Sequence, residues 1–246
     1  GSVAEPLWSI YNTAPKGGRM KLSGRLLAIA EMVPDVDTVA DIGCDHGKLA
    51  AWLVQNGRAR RAVCGDISAP SLEKARKKAA EEGLADRISA RVGSGLSVLA
   101  PGEADAAVIA GMGGELIVSI LEADIDKAPE VLVLSCHSMA DVLRGWLADN
   151  GFCFEDEALV EEGRHFYPIM RVRRGESRVL SLSEREFGPV LLRKKPEALR
   201  RLLDRRIRET KRIYAKLERA DSPRRAELLS ELSETLRRYE EVRKSL

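Results

Sequence analysis

The chain has 246 residues, of which 44% are hydrophobic, 32% charged and only 4% aromatic, and its formal net charge is +2. This length provides for one large domain and a smaller appendage, and so few aromatic rings argue against a binding surface built mainly on stacking. No stretch approaches the roughly 20 consecutive apolar residues that a membrane span needs, and no signal-peptide pattern opens the chain.

The four cysteines are predicted to be small core residues of a protein in a reducing compartment, and no structural zinc is expected. They show neither a Cys-x-x-Cys spacing nor histidine partners at the intervals of a metal site. Three of them lie in or beside apolar runs typical of buried strands. The four are Cys44, Cys64, Cys136 and Cys153.

The small net charge conceals two halves of opposite sign. Residues 1–163 carry 16 basic and 25 acidic side chains, whereas residues 164–246 carry 24 basic and 13 acidic side chains. A basic half of this kind is typical of proteins that bind polyanions, although a solvated helical surface has the same composition.

The first 19 residues show no hydrophobic periodicity and are predicted to be a tag or a flexible arm, because Gly1-Ser2 has the form of a cleavage scar. Met20 is then the natural start. From Leu22 onward, apolar residues fall on one helical face, and Pro34 ends that predicted helix.

Strand and helix patterns then alternate along the chain. The predicted strands cover residues 38–42, 61–66, 88–92, 106–110 and 131–134, and the predicted helices between them cover residues 46–55, 68–82, 115–121 and 139–149. Two further strands, 152–160 and 166–172, are joined by a turn at 161–163. This alternation predicts an α/β fold with a doubly wound parallel sheet, and the final pair of strands predicts an antiparallel hairpin at its edge.

Beyond Phe187 the periodicity becomes that of long helices. The two apolar stripes consist of Leu199, Leu203, Ile207, Tyr214 and Leu217, and of Leu229, Leu232, Leu236, Tyr239 and Leu246. Asp221-Ser222-Pro223 is predicted to be the turn between them, with the proline at the first helical position. The pattern predicts an antiparallel helical hairpin of coiled-coil type over residues 187–246, following a domain over residues 20–186.

Ligands of a doubly wound sheet bind at the carboxyl ends of its strands, so the loops that follow the strands form the candidate site. The first predicted strand runs into the segment DIGCDHG, residues 41–47. A dinucleotide-binding loop would read Gly-x-Gly-x-x-Gly, but Asp45 stands where the middle glycine belongs. Because a carboxylate at that point repels a diphosphate, the segment argues against a dinucleotide.

S-adenosylmethionine has no phosphates, and its amino group and sulfonium are both cationic, so Asp41 and Asp45 suit it. The second strand ends in Gly65-Asp66, and Asp66 follows Asp41 by 25 positions, near the spacing of an acidic residue that holds ribose hydroxyls. The third strand ends in Gly93-Ser94-Gly95, where a hydroxyl and the backbone suit an adenine ring. Each motif alone also fits an ordinary tight turn, but the three in order favour the cofactor.

The fourth strand ends in Ala110-Gly111-Met112-Gly113-Gly114. Methyltransferases that modify the exocyclic amine of adenine usually place D-P-P-Y or N-P-P-Y here, because that amine needs hydrogen bonds to draw out its lone pair. This segment offers only apolar side chains and glycines that admit a close backbone approach. A ring nitrogen such as adenine N1 has an in-plane lone pair and needs mainly alignment and a suitable electrostatic environment, so it is the better target.

Seven segments bear on the identity of the family. They are LSGRL (residues 22–26), ADIGCDHG (40–47), VGSGL (92–96), VIAGMGGELI (108–117), LRGWL (143–147), HFYPIM (165–170) and FGPVLL (187–192). In this order they resemble the bacterial tRNA (adenine-22-N1)-methyltransferase family, TrmK. The resemblance covers essentially residues 20–246, and AGMGG in place of D-P-P-Y is its most specific element.

The resemblance implies a class I, Rossmann-like, S-adenosylmethionine-dependent methyltransferase domain with a C-terminal helical coiled coil, which methylates N1 of adenine 22 in tRNA. It implies cofactor binding by Asp41, Gly43, Asp45, His46, Asp66, Ile67, Ser94, Gly95, Ala110, Gly111, Met112 and Gly113. Two positions depart from the family pattern. Ser135-Cys136-His137 stands where many members read Gln-Pro-Asn, which leaves the role of His137 open, and Ser94 stands where Asp or Asn is common.

Asp45 is the predicted catalytic residue, because its carboxylate could stabilise the positive charge that N1 methylation creates. The alternative is a carboxylate that only binds the cofactor. His46 lies at a helix start and is expected to hydrogen-bond rather than to act as a base. Arg25, in the helix before the first strand, either folds over Asp45 or is solvated.

The basic helices are predicted to bind tRNA phosphates, and the RNA-binding residues are predicted to be Arg25, Arg200, Arg201, Arg205, Arg206 and Arg208. Three alternatives stay open: a methyltransferase for another RNA, one for a small molecule, and a non-catalytic RNA-binding scaffold. The helices could also pair with a second copy of the chain. A tRNA-modifying enzyme of this kind is expected in the cytoplasm, with neither a membrane nor a metal partner.

Overall fold

The computed structural model describes residues 20–219 and 223–246, so the predicted tag or arm lies outside the described residues. The strands are β1 (Val36–Ile42), β2 (Ala59–Asp66), β3 (Ile88–Val92), β4 (Ala106–Met112), β5 (Val131–Cys136), β6 (Phe152–Glu162) and β7 (His165–Arg174). The helices are α1 (Gly24–Met32), α2 (Lys48–Gln55), α3 (Ala69–Glu81), α4 (Gly114–Ala123), α5 (Ala140–Asp149), α6 (Leu182–Phe187), α7 (Pro189–Lys194), α8 (Glu197–Glu218) and α9 (Arg225–Ser245), and a short 3-10 helix covers Gly95–Val98.

The seven strands form one sheet in the order β3-β2-β1-β4-β5-β7-β6. Strands β1 to β5 are parallel, and β7 runs antiparallel to both of its neighbours. This arrangement confirms the predicted fold class. The strand order reverses between β1 and β4, so the connections that follow them leave in opposite directions and open a crevice at the carboxyl ends of the strands.

Helices cover both faces of the sheet, and each layer has its own apolar core. Helices α1 to α3 pack on one face through residues such as Ile29, Leu53 and Leu72, and α4 and α5 pack on the other through Ile117 and Leu143. Because both faces are covered, the central parallel strands are near-continuous apolar runs, which made them predictable from the sequence.

The predicted limits of two helices are wrong by a few residues. Helix α2 begins at Lys48 rather than at residue 46, because Gly47 has a φ of +64° and is the residue that caps the helix. Helix α9 begins at Arg225, so Pro223 lies in the turn before the helix and not at its first position. Residues 221 and 222 of the predicted turn lie outside the described residues.

The β6–β7 hairpin presents alternate residues to the two sides of the sheet. Ala158 and Val160 pack against the core beneath α1, whereas Leu159 packs against the cluster formed by α7, α8 and α9. The last pairing of β5 with β7 joins Ser135 to Ile169, and β7 begins four residues before Ile169. The start of β7 at the hairpin tip therefore projects roughly 13 Å past Ser135, the penultimate residue of β5.

A buried ion pair joins the sheet to the C-terminal helices. Arg144 of α5 and Glu157 of β6 are each 1% exposed, and Nε lies 2.9 Å from Oε1. Arg144 also donates hydrogen bonds to the main-chain carbonyls of Arg185 and Glu186 at 3.0 and 2.9 Å. Glu157 accepts one from the amide of Val190 at 2.8 Å. The pair therefore holds the end of α6 and the start of α7 at once.

Helices α6 and α7 were missed by the sequence analysis, because six residues are too few to display a helical period. A local signal was nevertheless present: Ser181 and Glu184 form a capping box at the start of α6. Gly188, between the two helices, has a φ of +95°, and a Cβ there would lie 2.5 Å from the Glu157 carboxylate. The bend therefore requires glycine.

The two long helices run antiparallel, as predicted. Asp204 of α8 pairs with Arg243 near the end of α9, at 2.7 Å. Apolar burial is concentrated at the end of α8 nearest the sheet, where Leu199 and Leu203 are fully buried. Leu217, predicted to lie in the same stripe, is only half-buried. The outer part of the hairpin is therefore largely exposed to solvent.

Cys44, Cys64 and Cys136 are buried as predicted, and Cys153 is half-buried. In residues 20–219 and 223–246, no three His, Cys, Asp or Glu side chains are grouped so that they could hold a metal ion. The same described part of the chain contains no helix long and apolar enough to span a membrane.

Candidate cofactor and catalytic site

The loops that follow the parallel strands meet at one edge of the sheet and are joined by main-chain hydrogen bonds. The amide of Gly43 donates to the carbonyl of Gly65 at 2.8 Å, which joins the β1 and β2 loops. The amide of His137 donates to the carbonyl of Met112 at 3.0 Å, which joins the β4 and β5 loops. Gly43 has a φ of +73°, and a Cβ there would clash with the Met112 side chain. The structure thus brings the predicted segments together around the switch point.

Asp41 is a buried carboxylate near the end of β1, only 5% exposed. Its Oδ2 atom has no hydrogen-bond partner within the described residues. Burial raises the pKa of Asp41 to about 7, opposed by a hydrogen bond from the backbone of Ala50, and the charges of Asp66 and Asp45 raise it further. A carboxylate with one bare oxygen in a dry site is complementary to a cationic group. The amino group of S-adenosylmethionine fits this requirement.

Asp66 ends β2 and is partly exposed. Its Oδ1 accepts a hydrogen bond from the amide of Ser68 at 2.8 Å, which fixes the side chain at the mouth of the crevice. The next residue, Ile67, leaves 76% of its surface in solvent. Ser94 is exposed at the end of the third loop, and Gly95 has a φ of +55°. An acidic residue beside an exposed apolar side chain suits a ribose that carries a flat ring.

Asp45 occupies a left-handed backbone conformation with a φ of +48°, and its side chain is 78% exposed. Such a conformation is uncommon outside glycine, and it persists where the surrounding structure imposes it. The carboxylate lies 3.5 Å from Nε2 of His46, and the same nitrogen is 3.0 Å from Nζ of Lys74. Lys74, on α3, was not predicted as a neighbour of the site, since nothing in the sequence links that position to the β1 loop.

The β4 loop has no hydrogen-bonding side chain from Ala110 to Gly114. Gly111 is exposed with a φ of +80°. The amide of Gly114 donates to the carbonyl of Ser138 at 2.8 Å, and a Cβ there would clash with the backbone of Met139. Met112 and Gly113 are partly exposed beside it. A ring that approaches this loop meets main-chain atoms and the apolar side chain of Met112, with the exposed imidazole of His137 nearby.

The family model for tRNA (adenine(22)-N(1))-methyltransferase, TrmK, matches residues 39–241 of this chain. The chain belongs to the TrmK family. The tRNA (adenine(22)-N(1))-methyltransferase of Bacillus subtilis (strain 168) is 35% identical over 231 residues, which are 91% of this chain and 97% of that protein. The predicted family is therefore confirmed.

Two crystal structures of similar proteins extend the TrmK comparison to three dimensions. The structure of B. subtilis TrmK, 33% identical, matches with a TM-score of 0.83 over 91% of this chain and 99% of that one. A Streptococcus pneumoniae structure in complex with S-adenosyl-L-methionine, 30% identical, matches with a TM-score of 0.77 over 91% of this chain and 100% of that one. The shared fold extends over both the sheet and the C-terminal helices.

The predicted RNA-binding residues of this TrmK-family chain lie in four places. The guanidinium of Arg25 lies 4.5 Å from the ring centroid of Tyr167 on the hairpin tip, rather than over Asp45. Arg200 bonds to the carbonyl of Leu246 at the end of α9. Arg206 is exposed. The remaining three, Arg201, Arg205 and Arg208, line a groove between the hairpin tip and α8.

Proposed function

We propose that this TrmK-family protein transfers a methyl group from S-adenosylmethionine to N1 of adenine 22 in tRNA. The observation that carries the proposal is the bare, buried Oδ2 of Asp41 at the switch point of a sheet shared with this family. The two relatives described above, one named for this activity and one crystallised with S-adenosyl-L-methionine, support it.

In this proposal Asp41 receives the cationic amino group of the cofactor, and Asp66 accepts hydrogen bonds from the ribose hydroxyls. Ile67 covers one face of the adenine, and Ser94 bonds to its edge. When bound, S-adenosylmethionine supplies an electrophilic methyl group on a cationic sulfur. The remaining residues proposed to contact it are Gly43, Asp45, His46, Gly95, Ala110, Gly111, Met112 and Gly113.

Asp45 is the proposed catalytic residue. Adenine N1 carries an in-plane lone pair, so no proton has to be removed before attack, and methylation leaves the ring cationic. The Asp45 carboxylate is exposed at the mouth of the site, where an incoming base would shield it from water and strengthen its attraction to that charge. The main chain from Ala110 to Gly114 lets the ring approach without competing side-chain hydrogen bonds.

We also propose that residues 20–186 form the catalytic domain and residues 187–246 a coiled-coil domain that helps to bind tRNA. Arg25, Arg200, Arg201, Arg205, Arg206 and Arg208 remain the predicted RNA contacts. The net positive charge of the C-terminal part supports this, since 18 of its residues from Val190 onward are basic and 10 are acidic. A tRNA substrate implies a cytoplasmic enzyme, and no step of the reaction requires a metal.

Tritiated methyl transfer to unmodified tRNA tests the activity, with nucleoside analysis of the product. We expect N1-methyladenosine from a transcript with adenine at position 22 and none from a matched transcript with guanine there. Methylation at another base would instead support a different RNA specificity. Binding of tRNA with no methyl transfer would support the scaffold alternative, and transfer only to small acceptors would exclude an RNA substrate.

A further inference from the structure

We propose that the groove between the tip of the β6–β7 hairpin and α8 binds the phosphate backbone of the RNA substrate, through Arg164 of the hairpin turn together with arginines of α8 that include Arg212. This inference rests on the proposed function. We call this feature the hairpin groove. Its volume is about 530 Å³, and five arginines line it: Arg164, Arg201, Arg205, Arg208 and Arg212.

The hairpin groove results from the two-residue alternation of the β6–β7 hairpin and from the helical period of α8. On the hairpin, Glu161 and its cross-strand partner Phe166 lie on the face turned to α8, the same face as Leu159. On the helix, the arginines from Arg201 to Arg212 recur every three or four residues, so they lie on one side. With a rise of 1.5 Å per residue they span about 16 Å along the axis.

The acidic residues of the hairpin groove are already paired, which leaves part of its positive charge uncompensated. Glu161 lies 2.7 Å from Arg201, Glu209 lies 2.7 Å from Arg205, and Asp204 lies 2.7 Å from Arg243 of α9. Across the described ranges, the guanidinium groups of Arg164, Arg208 and Arg212 form no ion pair or hydrogen bond with a carboxylate. Three planar cations facing one groove match the geometry of phosphate oxygens.

The hairpin groove lies near the edge of the sheet that carries the candidate cofactor and catalytic site. The hairpin tip projects from the same edge of the sheet as the loops that follow β1 to β5, so the groove and those loops face the same end of the strands. On the opposite face of the same tip, Arg25 stacks on Tyr167 and its amide donates to Glu162 at 2.8 Å. Cations therefore flank the tip on both faces.

Contacts beneath and across the hairpin groove hold α7 and α8 in place against the β6–β7 hairpin. The buried pair of Arg144 and Glu157 ties α7 to β6, and Arg205 bonds to the carbonyl of Arg164 across the groove. Because the groove is assembled before the substrate arrives, little ordering cost is expected on binding.

The test compares the double variant Arg164→Gln/Arg212→Gln with Arg237→Gln/Lys244→Gln, which removes the same charge from exposed positions of α9. Binding of a tRNA transcript is measured by fluorescence anisotropy at several salt concentrations. We expect the groove variant to raise the Kd for tRNA at least tenfold and to reduce the slope of log Kd against log salt by roughly 1.4 to 1.8, about 0.7 to 0.9 per phosphate contact. The control variant should change the Kd less than threefold.

S-adenosylmethionine affinity and melting temperature should match the wild type in both variants, so that a loss of tRNA binding reports the groove alone. Equal tRNA affinity of the groove and control variants would overturn the proposal. So would a change in oligomeric state with tRNA binding intact, since the groove would then bind a second copy. If the wild type neither binds nor methylates tRNA, the proposed function fails, a result distinct from a groove that makes no contribution.

Discussion

Two carboxylates, Asp41 in the candidate cofactor site and Glu157 in the ion pair that joins the sheet to the C-terminal helices, are both buried but differ in their partners. Glu157 is paired with Arg144 and accepts a main-chain amide bond from Val190. Within the residues that the structure describes, Oδ2 of Asp41 has no hydrogen-bond partner, and burial raises the pKa of Asp41 to about 7. A buried charge with a counter-charge and hydrogen bonds holds structural elements together, whereas a buried carboxylate without them favours the binding of a cationic group.

The largest effect is expected where the satisfied pair is broken. Arg144→Leu would leave the Glu157 carboxylate buried without its counter-charge, so the free energy of unfolding should fall by about 3–5 kcal/mol. Urea denaturation measures this. Arg237→Leu, which breaks an exposed pair with Glu241, should cost less than about 1 kcal/mol. A loss below 1 kcal/mol for Arg144→Leu would show that the joint does not depend on the pair.

Unlike Arg144→Leu, the Asp41→Asn substitution should increase the free energy of unfolding of the cofactor-free protein. The folded-state pKa of Asp41 lies near 7, above the ordinary 3.8, so between these values the folded protein binds a proton that the unfolded chain does not. The free energy of unfolding therefore falls as the pH rises between these two values, by up to about 4 kcal/mol once the pH has passed 7.

The Asp41→Asn variant should consequently melt at a higher temperature than the wild type at pH 8, with a smaller difference at pH 5. Differential scanning calorimetry at the two pH values checks this. A variant that melts lower than the wild type at pH 8 would mean that the buried charge is satisfied after all.

Asp66→Ala should weaken S-adenosylmethionine binding by about 1.5–3 kcal/mol, through loss of charge-assisted hydrogen bonds to the ribose. Isothermal titration calorimetry measures it. Asp86→Ala is the control, because Asp86 is exposed just before β3, at the opposite edge of the sheet. If both variants bind as the wild type does, Asp66 is not part of the site.

Asp45→Asn should lower kcat about 10- to 100-fold while the Kd for S-adenosylmethionine changes less than about threefold. Asparagine tolerates the left-handed conformation of Asp45 as aspartate does, so the substitution removes charge and adds no backbone strain. The side chain is exposed, and the free energy of unfolding should stay within about 0.5 kcal/mol of the wild type. Equal losses of kcat and cofactor affinity would make Asp45 a cofactor ligand only.

Features set by local pattern and by the order of the strands could be predicted from the sequence. Continuous apolar runs such as residues 131–134 predicted the parallel strands, because a strand covered on both faces must be apolar throughout. Loop order predicted that the segments around Asp41 and Asp66 would meet, because all parallel strands end at one edge. The placement of both was correct. Their chemistry as site residues stays a prediction.

Contacts between distant segments could not be predicted in this way. Nothing in the sequence reveals that Arg25 lies on Tyr167, since that contact depends on how α1 crosses a hairpin 142 positions away. Among the described residues no donor lies beside Oδ2 of Asp41, and no local sequence pattern encodes that arrangement. Likewise, the hairpin groove forms between segments about 40 positions apart in the chain, the tip of the β6–β7 hairpin and α8.

The most direct test of the unsatisfied charge is S-adenosylmethionine binding to wild type and Asp41→Asn at pH 6 and pH 7.5. With a pKa near 7, the wild-type carboxylate is mostly protonated at pH 6, so its affinity should be several-fold weaker there than at pH 7.5. The Asn variant should bind at least about 30-fold more weakly than the wild type at pH 7.5, and without this pH dependence. Equal affinity of the two proteins at pH 7.5 would contradict the assignment of Asp41 as the residue that anchors the cofactor.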